Sequence, residues 1–240
     1  NSSFVITVIA ADVTFAGTKT ICINQIGDND FTAAPDGAQE INTNDISSTM
    51  GTYAVSGNRV LLKRGSTWTT VTDVVDNIEQ TQVYIGAYGV GVSPDERGIF
   101  ANNPIIDLSA STTTVTAFET TRQQDYVIEH LNLIGPGNYL DGVENYPTFQ
   151  VKGIVGSLNI RRFTVNKVKM AGMIQSLQFE QNRTLEFDEN QENSAFDCDF
   201  SDHYSNMVYA KGRHQVLMGN TVHTAIMGHC MRVPWSIFGV

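Results

Sequence analysis

The sequence lacks any apolar stretch of the roughly 18 residues that a transmembrane helix requires. It is also poor in basic residues, because 15 Lys and Arg stand against 25 Asp and Glu and leave a net charge of −10. Binding to nucleic acids or to anionic membranes depends on clustered positive charge, so this balance disfavours both. We therefore expect no nucleic-acid partner and no membrane insertion.

Cysteines and catalytic signatures are scarce as well. Cys22, Cys198 and Cys230 form no CxxC pair, which disfavours a zinc ribbon or a disulfide framework but leaves one pair free to bridge. There is no GxSxG nucleophile elbow, and the glycine-rich residues 86–98 lack the GxxxxGK[ST] phosphate-binding pattern, so they predict a turn. Few lysines, many Thr, Asn, Ser and Gly, and the sequon at Asn182 favour a secreted or cell-surface protein.

Long amphipathic helices are not evident either. Short runs rich in β-branched residues recur instead between Gly, Asn and Asp, which is typical of strands separated by turns. These runs are residues 4–10, 18–26, 59–65, 81–89, 125–135, 156–170, 193–200, 206–212, 214–222 and 229–240. With 41% hydrophobic residues the chain can bury a full core, so the sequence predicts an all-β fold.

One segment has helical spacing. In residues 69–80, Val71, Val74, Val75 and Ile78 stand at i, i+3, i+4 and i+7, which is one face of a helix. The sequence therefore predicts a short helix beside a sheet at this place.

A repeat near the C-terminus indicates how the strands stack. The segments SAFDCDF from Ser194, QVLMGNT from Gln215 and SIFGV from Ser236 begin 21 residues apart. Periods of this size are typical of stacked units, each of which buries its apolar face on the next. The same spacing aligns Lys211 with Arg232 on neighbouring units.

Several stretches give the chain a resemblance to a known superfamily. They are NRVLLKRGSTW (58–68) with VYIGAYGVGVSP (83–94), DYVIEHLNLIG (125–135), and VLMGNTV (216–222) with GHCMRVP (228–234). The chain resembles the right-handed parallel β-helix proteins, which include pectate lyases, alginate lyases and surface proteins. The resemblance implies a right-handed parallel β-helix, or solenoid, in which Gly65 makes a turn and Trp68 packs in the first coil.

The sequence predicts two parts. Residues 1–16 resemble the last strand and exit linker of a preceding immunoglobulin-like or similar β domain, and residues 17–240 form the β-helix. A β-helix must cover its terminal strand edges and the open end of its core. Because the sequence stops within a predicted strand, we expect the β-helix to continue beyond residue 240 or a homo-oligomer or fibre partner to cover that end.

The resemblance also suggests a chemistry for the last coils. In polysaccharide lyases of this fold, basic residues on the coil surface bind the uronate carboxylate and abstract the C5 proton. Lys211 is the candidate base and Arg232 the candidate carboxylate neutraliser, with Tyr209 or His229 as a proton carrier. The alternative is that both cations are solvated charges paired with acidic neighbours.

Other polar residues of these coils complete the candidate site. Substrate binding is assigned to Arg213, His223 and Asn220. Asp197 and Asp199, at i and i+2, face one side of a strand and with Asp202 offer oxygen ligands for calcium. The alternative is a ladder of stacked polar side chains, since the period of the repeat also aligns Asp199 with Asn220. His229 and Cys230 point to opposite sides of a strand, which disfavours a zinc site.

Two functions remain open at this point. One is a secreted or cell-surface β-helix that binds an anionic polysaccharide and cleaves it by lyase-type β-elimination. The other is a non-enzymatic structural or adhesive β-helix that forms extracellular fibres or surface assemblies. Fold alone does not separate them, because the architecture serves both.

Overall fold

The computed structural model describes residues 10–137, 150–180, 192–205, 207–210, 212, 214–225 and 231–232. As predicted, the chain is mostly β-strand in these ranges. The described helices are α1 (Ala11–Thr14) and α2 (Ile46–Tyr53), with a 3-10 turn at Gly17–Lys19. The predicted strand at residues 4–10 lies almost entirely outside the described residues.

Twenty strands are described, and each run predicted between residues 18 and 240 contains at least one of them. The first ten are β1 (Thr20–Asn24), β2 (Gln39–Asn42), β3 (Arg59–Lys63), β4 (Thr67–Thr69), β5 (Val75–Ile78), β6 (Thr81–Tyr88), β7 (Ile105–Asp107), β8 (Val115–Thr121), β9 (Gln124–Glu129) and β10 (Asn132–Ile134). The others are β11 (Val151–Ser157), β12 (Arg161–Asn166), β13 (Lys169–Ala171), β14 (Gln175–Glu180), β15 (Ser194–Phe196), β16 (Asp199–His203), β17 (Val208–Ala210), β18 (Val216–Met218), β19 (Thr221–Ala225) and β20 (Met231–Arg232).

The strands form three parallel sheets. Sheet A has the order β18-β15-β12-β9-β6-β3-β1-β2, sheet B the order β19-β16-β13-β10-β7-β4, and sheet C the order β20-β17-β14-β11-β8-β5. From β3 onward the chain therefore visits sheets A, B and C in rotation, and each strand pairs with the strand three places along the chain. This arrangement is compatible with a parallel β-helix.

Apolar side chains stack from strand to strand on the inner side of sheet A. Ile85 lies opposite Val60 on one side and Ile128 on the other, and all three are buried. The rings of Tyr126 and Phe163 stack nearly parallel, with centroids 5.1 Å apart. Such cross-strand contacts between β-branched and aromatic residues explain why these short runs form strands.

Two-residue turns join sheet A to sheet B. The first residue of each turn has a left-handed backbone, with φ between 50° and 70°, at His130, Lys167, Asp197 and Gly219. The second residue is buried in three of these turns, as Leu131, Val168 and Cys198. In the fourth turn Asn220 accepts a hydrogen bond from the Cys198 N–H and donates one to the Ala195 carbonyl, both at 2.9 Å. The repeated turn starts successive strands of sheet B in the same register.

The register near the C-terminus differs from the spacing that the sequence predicts. Tyr209, rather than Lys211, lies opposite Arg232. The predicted alignment of Lys211 with Arg232 is therefore wrong. So is the alignment of Asp199 with Asn220, because Asp199 lies opposite Thr221.

Leu217 shows the physical reason for the shift. In the observed register Leu217 lies opposite Ala195 and packs against the main core, while its neighbours Val216 and Met218 are exposed. The predicted register would turn Leu217 outward, because neighbouring side chains on a strand point to opposite faces.

The helix predicted at residues 69–80 is wrong. This segment contains the end of β4 and all of β5, and β5 pairs in parallel with β8. Val74 and Val75 are buried, whereas Val71 is 49% exposed. A short valine-rich segment fits either a helix or a buried strand, and here the hydrogen bonds offered by β8 favour the strand.

Helix α2, which the sequence patterns did not indicate, covers one end of the core. The Asp45 carboxylate caps it by accepting a hydrogen bond from the Ser48 N–H at 3.0 Å. Ile46 and Met50, one turn apart, are buried in the main core, and the helix packs beside β5. This is the end at which sheets B and C begin, so α2 covers apolar surface that strand pairing alone leaves open.

Two predicted packing roles are confirmed. Gly65 lies between β3 and β4 with φ 85°, a conformation that favours glycine. Trp68 is only 1% exposed, and its indole N–H donates to the Thr43 carbonyl at 2.9 Å.

Candidate functional site

The site residues predicted from the sequence are distributed over different parts of the fold. Tyr209 lies in sheet C, opposite the backbone position of Arg232. His223 lies in sheet B, and Asn220 lies in the turn before its strand. Outside the described residues are Lys211, Arg213 and His229. No single face carries the part of the predicted set that the structure describes.

The residues predicted to bind calcium are not arranged as a metal site. Asp197 lies in the turn before β16, Asp199 begins that strand, and Asp202 lies within it at φ 55°. Both carboxylate oxygens of Asp199 contact protein groups instead. In the ranges that the structure describes, no three His, Cys, Asp or Glu side chains are grouped to hold a metal ion.

A hairpin of residues 89–104 connects β6 in sheet A to β7 in sheet B. Pro94 and Phe100 form an antiparallel bridge within it. The Asp95 carboxylate closes the tip by accepting two backbone hydrogen bonds, at 2.9 and 3.0 Å. Near the base, the Asn102 side chain makes two further bonds to backbone groups, both at 2.8 Å. The hairpin is thus held closed by its own hydrogen bonds.

Hairpin 89–104 makes one charged contact to sheet B and one aromatic contact to the turn between β3 and β4. Nη2 of Arg97 lies 2.6 Å from Oδ2 of Asp95 and 3.0 Å from Oδ2 of Asp199. The Phe100 ring lies beneath the guanidinium of Arg64, with Cζ 4.4 Å from the ring centroid. Arg97 therefore joins the tip of the hairpin to the first residue of β16.

A cavity of about 200 Å³, which we call the sheet B groove, lies between the hairpin and the sheet. Its lining residues are Ser93, Asp95, Ile99, Phe100, Ala101, Asn132, Lys169 and Asp199. Asn132, Lys169 and Asp199 are opposite one another on β10, β13 and β16. The strand register therefore places an amide, an ammonium and a carboxylate side by side, at steps of about 4.8 Å.

The charges of the sheet B groove are only partly compensated by one another. Burial acts to raise the pKa of Asp95, but hydrogen bonds from Arg97 and from the backbone outweigh it and hold that pKa below its usual range. Burial acts to lower the pKa of Arg97, but the two neighbouring carboxylates outweigh it and raise that pKa. The Lys169 side chain is exposed, and its ammonium has no ion pair or hydrogen bond to the described part of the chain. The groove therefore presents an ammonium group for an external anion.

His223 lies next to the sheet B groove and is hydrogen-bonded to the buried carboxylate of Asp199, which lines the groove. Its Nε2 donates to Oδ1 of Asp199 at 2.9 Å. The Asp199 side chain is 11% exposed, whereas that of His223 is 51% exposed. Because Arg97 binds the other oxygen of Asp199, the carboxylate is fixed from both sides. The imidazole is oriented by this bond, and its Nδ1 has no partner among the residues described.

A different histidine, His203, has a packing role beneath sheet B. Its Nδ1 donates to the Met173 carbonyl at 3.0 Å, and its Nε2 accepts from the Ser176 hydroxyl at 3.1 Å. Burial lowers the pKa of His203 from 6.5 to about 4. The ring is therefore neutral near pH 7 and belongs to the core.

The described cysteines are not nucleophiles. Cys22 and Cys198 are both free and buried, so they do not bridge to each other. Burial raises the pKa of each thiol to about 12, which leaves almost no thiolate near neutral pH. Cys230 lies outside the described residues.

Sequence reasoning missed most of the groove. The glycine-rich residues 86–98 predicted a turn, and Asp95 to Gly98 form one, but the pattern did not show that this turn would lie over sheet B. Asn132 and Lys169 each stand directly before an inward-facing apolar residue. If Leu133 and Met170, the inward-facing residues, are aligned with each other, Asn132 and Lys169 also become neighbours in sheet B.

Comparison of the chain with protein-family models, with curated protein sequences and with solved structures finds no match. In the described ranges, no helix has both the length and the apolar character needed to cross a membrane. The side chains of the sheet B groove therefore provide the basis for a functional assignment.

Proposed function

We propose that this protein is a secreted or cell-surface right-handed parallel β-helix, of the pectate-lyase-like superfamily, that binds an anionic polysaccharide in the sheet B groove. The rotation of the chain through three parallel sheets supports the fold assignment. The observation that carries the functional assignment is the combination of Phe100, Asn132 and Lys169 around one cavity.

The groove suits one ring of a sugar chain. Its volume of about 200 Å³ is below the roughly 300–1,000 Å³ of pockets that enclose drug-sized ligands. A sugar ring has an apolar face that packs on an aromatic ring such as Phe100, and its hydroxyls both donate and accept hydrogen bonds. The Asn132 side-chain oxygen is buried without a hydrogen-bond partner in the described structure, and rotation of this amide toward the cavity would let a sugar hydroxyl satisfy it.

Lys169 selects for an acidic sugar. Arg97 is already bound by two carboxylates, so its charge is not available to a ligand. Lys169 lacks such a partner and lines the same cavity. Because the net charge of −10 repels a polyanion at long range, binding of an acidic sugar depends on local contact with this ammonium.

The test is a titration of the protein with galacturonate and mannuronate oligomers, compared with neutral gluco-oligomers of equal length. Binding by calorimetry is expected for an acidic oligomer only. Lys169→Gln should weaken that binding about tenfold or more, as expected for loss of a hydrogen bond to a charged group. Lys19→Gln is the matched control, because it removes the same charge from an exposed residue in the 3-10 turn.

Two outcomes would contradict the proposal. One is the absence of binding to any uronate oligomer, and the other is equal weakening by both lysine substitutions. The competing hypothesis of a structural or adhesive β-helix predicts no sugar binding, together with a particle size that grows with protein concentration. Light scattering over a range of concentrations measures that growth.

A further inference from the structure

We propose that a second cavity, on the outer face of sheet A, binds a free α-amino acid with an apolar side chain. Arg59 binds the carboxylate of this ligand, and Asp36 binds its ammonium group. The cavity, which we call the sheet A pocket, measures about 270 Å³ and shares no lining residue with the sheet B groove. Binding here is therefore independent of the proposed function.

Two segments form the walls of the sheet A pocket. One is α1 with the 3-10 turn that follows it, and the other is the loop between β1 and β2. Their lining residues are Asp12, Phe15, Ala16, Gly17, Pro35 and Asp36. The walls touch through backbone atoms, because a Cβ at Gly37 would lie only 3.3 Å from Cα of Gly17. The position of one wall is therefore fixed relative to the other.

Arg59 supplies the positive charge of the pocket. It begins β3, opposite Thr20 on β1, and its side chain is only 6% exposed. Its Nε donates to the Thr20 hydroxyl at 2.9 Å, and its Nη1 donates to Oδ1 of Asp12 at 2.6 Å. Nη2 is buried and has no hydrogen-bond partner in the described structure. Because an unpaired buried donor is costly, a ligand oxygen that accepts from Nη2 stabilises the site.

Asp12 is the side chain that can make way for this oxygen. It lies on the four-residue helix α1, and its side chain is 77% exposed, so its ion pair with Arg59 contributes little to stability. Asp12 places one oxygen on Nη1 and leaves Nη2 unpaired. A ligand carboxylate that accepts from Nη1 and Nη2 together forms the stronger, bidentate pair. Such a ligand therefore competes well with Asp12.

The negative charge of the pocket determines which carboxylate ligand fits. Asp36 is exposed, lines the cavity and has no ion pair or hydrogen bond to the described part of the chain. Asp12 and Asp36 together outnumber the single guanidinium, so a ligand with only negative charge is repelled. A zwitterion avoids this repulsion, because its ammonium group pairs with Asp36. An α-amino acid carries both charged groups on one carbon atom.

The rest of the lining favours an apolar ligand side chain. Phe15 is 8% exposed, and its ring lies 6.2 Å from that of Tyr84. Pro35 belongs to the opposite wall. Burial of apolar ligand surface against these two side chains favours binding. The volume lies below the roughly 300–1,000 Å³ of pockets that enclose drug-sized ligands, which selects a single amino acid over a longer peptide.

The test is a calorimetric titration of the full chain with leucine, N-acetyl-leucine and leucinamide. These three ligands share one side chain, so differences between them report on the charged groups. Leucine is expected to bind. N-acetyl-leucine lacks the ammonium group and leucinamide lacks the carboxylate, so each should bind at least about tenfold more weakly.

Two variants assign the contacts to residues. Asp36→Asn should weaken leucine binding about tenfold or more, without weakening the binding of N-acetyl-leucine, which has no ammonium group. Asp76→Asn is the matched control, because it makes the same change at an exposed position of β5 in sheet C. Arg59→Lys keeps the charge but removes the guanidinium fork, so it should also weaken leucine binding. Thermal melting shows whether this buried substitution leaves the protein folded.

Several results would overturn the proposal. They are the absence of binding to leucine, valine and phenylalanine, equal binding of leucine and its two derivatives, and equal weakening by Asp36→Asn and Asp76→Asn. Since Asp36 is exposed, its variant keeps the test decisive even if Arg59→Lys unfolds. Asp36→Asn should leave uronate binding unchanged, because Asp36 does not line the sheet B groove. The two proposals therefore stand or fall separately.

Discussion

Two segments cover the outer faces of two sheets, and they differ in what they pack against. Residues 25–38 lie on sheet A, where Phe31 stacks on Tyr88 with ring planes 2° apart and centroids separated by 6.4 Å, within a small apolar cluster. Hairpin 89–104 lies on sheet B, where Arg97 bridges two carboxylates. The first cover adds an ion pair of Lys63 with Asp28 and Asp30, at 3.0 and 2.8 Å, to its apolar packing, whereas the second encloses the sheet B groove.

This difference separates a cover that stabilises the fold from one that, under the proposed function, also binds an acidic sugar. Apolar packing excludes water and stabilises the fold roughly in proportion to the area that it buries. A buried ion pair contributes little compared with apolar residues of the same volume, because both charges lose their hydration. Arg97 and Asp199 are therefore better explained by what they position, which is His223 and the wall of the groove.

The largest expected effect comes from breaking the polar cover. Arg97→Met keeps the aliphatic stem but leaves the 11%-exposed Asp199 without its cation. Removing one partner of a buried pair is strongly destabilising, so the free energy of unfolding should fall by about 3 to 4 kcal/mol. Urea denaturation followed by circular dichroism measures it.

An exposed ion pair provides the control for that variant. Arg122 and Glu79 lie 2.8 Å apart, with side chains 52% and 62% exposed. Arg122→Met should therefore cost less than about 1 kcal/mol. If Arg97→Met and Arg122→Met lower the free energy of unfolding by similarly small amounts, hairpin 89–104 is not docked on sheet B in solution. The contrast between the two covers would then be wrong.

Much of the fold was predictable, because strand formation here depends on local pattern. Val60 and Ile85 belong to β-branched runs that the sequence shows plainly, and both lie in the predicted strands. The prediction of a helix at residues 69–80 was wrong because, in a short segment, a few valines fit both the helical period and that of a strand. Helix α2 has only two buried apolar residues, Ile46 and Met50, and this leaves too weak a period to notice.

The candidate site was much less predictable, because it depends on register and on a contact between distant parts of the chain. A one-residue change in period exchanges inward for outward positions, and small errors of this kind were enough to pair Lys211 with Arg232 wrongly. Arg97 and Asp199 are 102 residues apart in sequence. No local pattern indicates such a contact, although His223 and Asp199 were both selected as polar residues of the last coils.

A buried histidine on the inner side of sheet B predicts that the stability of the fold depends on pH. His203, on β16 of sheet B, has its pKa lowered by burial from 6.5 to about 4. Between these values the unfolded chain binds more protons than the folded protein, so stability is complete above about pH 6.5 and falls as the pH drops toward 4. The difference in pKa corresponds to up to about 3 kcal/mol. Urea denaturation at pH 7 and pH 4.5 measures the loss.

The His203→Gln variant isolates this contribution. Glutamine keeps hydrogen-bonding capacity toward Ser176 but does not titrate, so the dependence on pH should become shallower. Burial also lowers the pKa of His130, which leaves a smaller slope of the same sign. An unchanged slope in His203→Gln would show that the buried ring is not the cause.

Apart from the Arg122→Met control, the smallest expected changes in stability come from the aromatic residue of each cover, and their effects on uronate binding should differ. Phe31→Ala and Phe100→Ala each remove a half-buried ring, so each should lower the free energy of unfolding by about 1 to 2 kcal/mol. Only Phe100 lines the sheet B groove, so only Phe100→Ala should weaken uronate binding, by about tenfold. Equal weakening by both substitutions would place the sugar elsewhere, because the two covers would then not differ in what they bind.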